Sequence, residues 1–309
     1  MDQELERFKT EIDLREFAAS LGFEFNRRDS WRGSAVMDRG EQDKIIISKG
    51  PDGHFVYFSV KDSHGGTVID LAKRYVTKNF GEIRKTLRGW SEGRTPRTTG
   101  FAATPLETTS KDLQAVARLW HGAEVCIRHA WLESERAIPS SLLASHRFVG
   151  RLKVDSIGNA LFAHGNAEGA ICGFEKKNKG FTGFAAGGEK GLGLSNVQGG
   201  DERLVLAESF IDMLSYAALF PDDRTRYGSF GGSLSTKQPE IIRGAILALP
   251  RGAEVVAATD GDEAGAKFAS IIKDLCEGYV FLEHRPPAGD WNDALRESSL
   301  PTVRYANEL

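Results

Sequence analysis

Apolar residues recur at helical spacing twice near the N-terminus. Leu14, Phe17, Ala18 and Leu21 share one face behind Asp13 and Glu16, a capping-box pattern, and Gly22 ends the run. Val68, Leu71, Ala72 and Tyr75 repeat the spacing from about Thr67. Between them, residues 44–48 and 54–60 alternate as two strands around a turn at Gly50-Pro51-Asp52-Gly53. Residues 92–111, EGRTPRTTGFAATPLETTSK, are rich in Thr, Gly and Pro, lack apolar periodicity and read as a flexible connector. A helical stretch is expected over 113–143 and a glycine-rich β segment over 148–194. From Arg203 onward, short apolar strands at 204–207, 227–230, 255–259 and 279–283 alternate with helical patterns. Alternation of this kind implies a parallel sheet with crossover helices. No internal repeat is visible.

Composition changes this picture little. Hydrophobic residues make up 40% and charged residues 27% of the 309, enough to bury two or three cores and too apolar for a disordered chain. The formal net charge of -3 excludes a uniformly basic nucleic-acid coat, so any such surface is local. Cys126, Cys172 and Cys276 are dispersed and odd in number, which gives no disulfide framework and suits the reducing cytoplasm. The acidic, polar residues 1–7 do not read as a secretory signal, and no run approaches a membrane span.

The chemistry is expected at the carboxyl ends of the C-terminal strands, where ligands bind in open α/β sheets. Glu208 ends the run Leu204-Val205-Leu206-Ala207, and Asp260 ends Val255-Val256-Ala257-Ala258-Thr259. Asp262 enters the next helix, whose stripe of Ala264, Phe268, Ile271, Ile272 and Leu275 anchors it, while Gly261 and Gly265 permit tight backbone. Hard divalent cations prefer carboxylate oxygens and keep an open shell for phosphate. An Asp-x-Asp pair places two carboxylates on one metal or a close metal pair, and a neighbouring Glu completes the site or exchanges protons. A lone Asp-x-Asp is also common in turns, and Asp262 has the alternative of capping its helix. The combination is what favours a metal site.

That combination resembles the Toprim domain of bacterial primases, topoisomerases and some nucleases. The resemblance rests on LVLAESFIDMLSYAAL (204–219), SFGGSLSTKQ (229–238) and AATDGDEAGAKFA (257–269), in order on the expected elements. It implies that Glu208, Asp260 and Asp262 are the catalytic and metal-binding acids, with Mg²⁺ or Mn²⁺ as cofactor. Asp212 matches a further acid of the primase version, and equally reads as a solvated acid favouring a helix N-terminus. Gly231 and Gly232, ahead of Ser233 and Ser235 at an expected helix start, offer either a phosphate site on free N–H groups or a plain turn. The segment from Arg285 to Asp293 resembles the Lys-Asp-Trp-Asn-like tail of plasmid and phage Toprim primases, with glycine where lysine is usual. Asp290 is placed near the metals by that likeness, while Asp293 reads equally as a helix start.

Residues 158–196 look like the primase subdomain that precedes Toprim. Arg147, Arg151, Lys153, Lys176, Lys177, Lys179 and Lys190 would give it a basic face for template backbone and incoming triphosphate, or form an ordinary solvated hairpin. Phe174, Phe181 and Phe184 suit core packing better than base stacking. Residues 1–90 resemble the zinc-binding module of bacterial primases but contain no cysteine. Ser59 and Asp62 fall on the paired cysteine positions, and His54 and His64 alone make a poor zinc site, so a zinc-free, degenerate module is expected.

The expected fold class is therefore α/β: a Toprim fold with a four-stranded parallel sheet and flanking helices over 201–309. It follows a basic α+β primase-like subdomain at 112–200, a linker at 91–111 and a small α+β N-terminal module at 1–90. No G-x-x-x-x-G-K-[ST] segment supports the nuclease–ATPase class, and no domain offers the nucleophilic tyrosine of a topoisomerase. The expected function is a cytoplasmic, mobile-element-type, primase-like nucleotidyltransferase on single-stranded DNA and nucleoside triphosphates. A helicase or another protein is an expected partner, although no helicase-binding helical domain follows the Toprim region. The alternatives are a stand-alone Toprim nuclease and a non-catalytic DNA-binding accessory or defence protein.

Overall fold

The computed structural model describes residues 2–40, 43–50, 52–60, 64–93, 106–107, 110–232, 234–235 and 237–299. Asp62, Ser233 and most of the expected linker lie outside them. The chain divides into two compact units, Met1–Ser110 and Lys111–Leu309.

The first unit opens with α1 (Gln3–Glu11) and α2 (Leu14–Ser20). Asp13 caps α2 by accepting from the Arg15 N–H, and Gly22 turns the chain out at a φ of 87°. A meander follows: β1 (Glu24–Trp31), β2 (Ser34–Arg39), β3 (Asp43–Lys49), β4 (Phe55–Ser59) and β5 (Gly65–Gly66), antiparallel and in sequential order. Then come α3 (Val68–Tyr75), with a complete Thr67–Asp70 capping box, and α4 (Phe80–Ser91). The core joins Phe8, Phe17, Met37, Ile45, Tyr57, Leu71 and Trp90. The sequence pattern misses β1 because its residues, EFNRRDSW, are mostly polar and it is an edge strand whose residues 24–30 are exposed or half-buried. Leu106 packs on this core and the Glu107 N–H donates to the Arg32 carbonyl, so part of the expected connector belongs to this unit.

The second unit begins with α5 (Leu113–Gly122), β6 (Glu124–Val125), α6 (Ala130–Ser134) and α7 (Ser140–Leu143). The helical stretch expected over 113–143 is three short helices. Gly122 and Pro139 interrupt it, and Ala137 sits at a φ of 55°, a conformation that no helix accommodates. β7 (Leu152–Val154), β8 (Ala160–Gly165), β9 (Ile171–Asn178) and β10 (Phe181–Phe184) complete an antiparallel sheet in the order β10-β9-β8-β7-β6.

The last sheet contains β11 (Gly193–Leu194), β12 (Arg203–Ala207), β13 (Thr225–Ser229), β14 (Glu254–Ala258) and β15 (Val280–Glu283) in the order β11-β13-β12-β14-β15. β12 to β15 are parallel, as the alternation requires, and α8 (Phe210–Leu219), α9 (Gln238–Leu247) and α10 (Glu263–Asp274) are the crossovers. The expectation of four strands omits β11, which pairs antiparallel with β13 at the edge. In α10 the buried stripe is Gly265, Ala269 and Ile272, one step from the expected set, with Phe268 and Leu275 half-buried. α11 (Trp291–Ser298) packs on α8. One core runs through both sheets of this unit: Phe162 stacks on Phe210 at 5.4 Å, and Phe148, Tyr227 and Trp291 join them. The segments divided in the sequence at residue 200 therefore share a hydrophobic interior. Among the described residues no helix is long and apolar enough to cross a membrane.

Candidate functional site

The parallel sheet brings the ends of its central strands side by side. Ala207 is in register with Ala258, so Glu208 and Asp260 emerge from neighbouring strands. The Asp260 N–H donates to Glu208 Oε1 at 3.1 Å. Asp262 is the N-cap of α10, its Oδ1 accepting from the Gly265 N–H at 2.8 Å, and its carboxylate is exposed. Asp262 is thus the helix cap, and it also stands next to the other acids. Gly265 is needed because a Cβ there would run into the Asp260 carbonyl.

Asp212 lies one turn into α8 and is buried, with Ser209 Oγ donating to its Oδ2 at 2.6 Å. Asp290 caps α11 through the Asp293 N–H at 2.8 Å. The neighbouring Trp291 and Asn292 hold that turn in place. Trp291 Nε1 donates to the Ala258 carbonyl at 3.0 Å, and the Asn292 side chain donates to the Arg136 carbonyl and to Ser215 Oγ. Gly289 Cα has a φ of 61°, which explains why glycine is comfortable in this tail.

These carboxylates feel one another. Burial, then the charges of Asp212, Glu208, Asp290 and Asp262, push Asp260 up to about 8. Burial pushes Glu208 up to about 7, against the Asp260 N–H and reinforced by Asp212 and Asp262. Burial and Asp290 push Asp212 up to about 6, opposed by Ser209 and Lys177. Asp260 Oδ1 is buried without a hydrogen-bond partner. A buried acceptor among like charges is what a cation relieves, and carboxylate oxygens are the donors that Mg²⁺ and Mn²⁺ prefer. Among the described residues no group of three or more His, Cys, Asp or Glu side chains already converges as a ligand cage. Mg²⁺ needs none, since one or two carboxylates with water and phosphate complete its shell.

The expected basic face divides. On β9, alternation sends Phe174 and Lys176 to one side and Glu175 and Lys177 to the other. Lys177 faces the acids: its charge lowers Asp212, and its ammonium lies over the Phe210 ring. Lys190 Nζ lies beside Gly232, 4.0 Å from where a Cβ would stand. The other five basic residues are engaged elsewhere. Arg147 is buried and bound to Asp201 at 2.9 Å and to two carbonyls, which corrects its expected role as a nucleic-acid contact. Arg151 donates to the Leu194 carbonyl, and Lys153 to those of His121 and Ala123. Lys176 pairs with Asp155, and Lys179 with Glu135. Phe174 is core, Phe184 packs edge-on against His164, and Phe181 is exposed.

Gly231 and Gly232 adopt positive φ, but their N–H groups are already used. Gly231 donates to Ser229 Oγ at 3.3 Å and Gly232 to the Glu208 carbonyl at 2.7 Å. The next helix begins only at Gln238. The phosphate-binding turn expected there is corrected to a turn that ties β13 to Glu208. In the first unit, His54 sits between Glu6 and Asp52, and His64 Nδ1 meets the Tyr57 hydroxyl at 2.8 Å.

Residues 205–295 match the family model for Toprim-like domains. The parallel sheet that carries the acids is Toprim-like. The Toprim-like segment is preceded by residues 130–199, which match a family described as protein of unknown function, DUF3991. The structure is similar to the zinc-binding and RNA polymerase domains of Aquifex aeolicus primase, at 15% identity over 96% of this chain and 83% of that one, TM-score 0.40. It is also similar to the primase fragment of the bacteriophage T7 primase-helicase, at 13% identity over 89% and 96%, TM-score 0.40. The E. coli primase catalytic core matches at 14% identity over 53% and 67%, TM-score 0.32. No curated protein is significantly similar in sequence.

Sequence reasoning misses three buried polar residues beneath the site: His164, Glu175 and Ser229. A signal existed. Glu175 follows Ile171-Cys172-Gly173-Phe174, and His164 follows Leu161-Phe162-Ala163, each a polar residue inside an apolar strand.

Proposed function

We propose that the chain is a primase-like nucleotidyltransferase that uses Mg²⁺ or Mn²⁺ to act on nucleoside triphosphates with a single-stranded DNA template. The observation that carries this reading is Asp260 at a strand end of a Toprim-like sheet, its Oδ1 buried and unpartnered and its carboxyl under the charges of Asp212, Glu208, Asp290 and Asp262. Glu208, Asp260 and Asp262 would hold the metal, with Asp212 and Asp290 beside them. When bound, it supplies charge neutralisation and alignment of the phosphate oxygens. The residues of the chain do the remainder. The Asp260 N–H fixes the Glu208 carboxylate, and Ser209 fixes Asp212. Lys177 faces the acids from the preceding segment and Lys190 stands beside Gly232, and both would offset triphosphate charge. The N-terminal unit is assigned to template or partner contact, a helicase included, in the cytoplasm.

The test incubates the protein with single-stranded DNA, labelled nucleoside triphosphates and Mg²⁺ or Mn²⁺, beside Asp260→Ala. New strands made only by the unaltered protein support the reading. Shortened DNA would replace it with a nuclease using the same acids. Binding that neither extends nor cuts and survives the substitution would replace it with a non-catalytic binder.

A further inference from the structure

β8 and β9 pair antiparallel, with Phe162 opposite Glu175 and His164 opposite Gly173. His164 and Glu175 therefore lie diagonally on one face. Both are buried: the His164 side chain is 0% exposed and that of Glu175 5%. His164 Nε2 meets Glu175 Oε1 at 3.2 Å, and Ser229 Oγ donates to the same oxygen at 3.0 Å. The other ring nitrogen, Nδ1, meets the Gly191 carbonyl at 2.9 Å. The imidazole is thus held through both ring nitrogens, between a backbone carbonyl and the Glu175 carboxyl. Glu175 Oε2 then faces Lys177 Nζ at 3.6 Å, and Lys177 is the lysine whose charge Asp212 feels. Burial would raise Glu175, but His164, Lys177 and Ser229 outweigh it and hold the carboxyl below its usual value.

The glycine turn closes the arrangement. A Cβ on Gly231 would stand 2.9 Å from His164 Cε1, so the turn rests directly on the imidazole. Gly232 in turn bonds the Glu208 carbonyl. The pair thus reaches the site from two sides, through Lys177 on one and the glycine turn on the other.

We propose that Glu175, held in place by His164 and Ser229, is a positioning residue that fixes the Lys177 ammonium beside the acid cluster to receive the triphosphate. This rests on the nucleotidyl-transfer reading above. It assigns a role to two side chains that make no contact with the five acids.

The test measures binding of a non-hydrolysable ATP analogue with Mg²⁺ by calorimetry. It compares the full chain with Glu175→Gln, Lys177→Ala and the double variant, with melting temperatures recorded alongside. Glu175→Gln keeps the shape and an oxygen for Ser229 but removes the charge. Each single change is expected to weaken binding about tenfold, and the double change no further, since both remove one ammonium from one place. Ser229→Ala, which leaves the charge pair intact, is expected to change binding by no more than about twofold. If Glu175→Gln binds as the unaltered protein does, or adds fully to Lys177→Ala, the proposal is overturned while nucleotidyl transfer stands. If the unaltered protein binds no triphosphate, both fall. Lys177→Ala covers the case in which Glu175→Gln does not fold. Triphosphate binding left unchanged by Lys177→Ala overturns the proposal.

Discussion

The Asp260 N–H donates to the Glu208 carboxylate at 3.1 Å, linking the ends of two parallel strands through a catalytic candidate on each. The bond orients Glu208 by backbone, which side-chain motion cannot easily undo. On the side chain, Asp260 Oδ1 is buried and unpartnered, and the carboxyl feels the charges of Asp212, Glu208, Asp290 and Asp262. The sheet stores electrostatic repulsion at the point where a cation would release it.

Removing that repulsion should separate stability from activity. Asp260→Asn is expected to raise the melting temperature of metal-free protein while lowering strand synthesis by about a hundredfold or more. Calorimetry and the labelled-nucleotide assay check the two halves. A variant both less stable and fully active would contradict the site.

The same repulsion sets a pH dependence. Asp260 rises from 3.8 to about 8, Glu208 from 4.5 to about 7 and Asp212 from 3.8 to about 6 on folding. Between those limits the folded protein keeps protons that the unfolded chain has released. Their contribution to stability is complete below the unfolded values and is lost as pH rises through the folded ones. Metal-free protein should melt lower at about pH 8.5 than at about pH 5, with Mg²⁺ raising the melting temperature more at the higher pH. Thermal scans at both pH values, with and without Mg²⁺, check this.

Arg147 bonds Asp201, which also holds Arg226, and all three are buried. Arg147→Ala should cost about 3–5 kcal/mol of stability by leaving Asp201 half-paired. Denaturant titration measures it. The variant that still folds should keep the salt dependence of DNA binding, because this arginine does not reach the surface.

Gly265→Ala tests the loop between the two aspartates. Its Cβ would collide with the Asp260 backbone, so the acid must move. Activity is expected to fall about tenfold or more and the melting temperature to fall with it, since the collision is with backbone rather than with a side chain that can swing aside. Steady-state rates beside a melting curve are the check.

Much of this was legible in the chain. The strands ending at Ala207 and Ala258 announce themselves as apolar runs, and the acids follow by one residue in the first and two in the second. Buried parallel strands write themselves continuously in sequence. β1 does not, because its residues are mostly polar and those at 24–30 are exposed or half-buried. The fate of the basic residues was hidden for a related reason. Lys176 and Lys177 are neighbours in sequence, but the pleat sends them to opposite faces, and only the packed sheet says which face meets the acids. Arg147 reads as a surface cation until Asp201, 54 residues away, is brought against it. The His164–Glu175 pair depends on strand register, which periodicity alone does not fix.

The most direct measurement is Mn²⁺ binding followed by electron paramagnetic resonance, in unaltered protein, Glu208→Gln and Asp260→Asn. Saturable binding by the unaltered protein, weakened about tenfold or more by either change, is the expected result. Binding that is absent, or equally tight in all three, would contradict a metal centre at these acids.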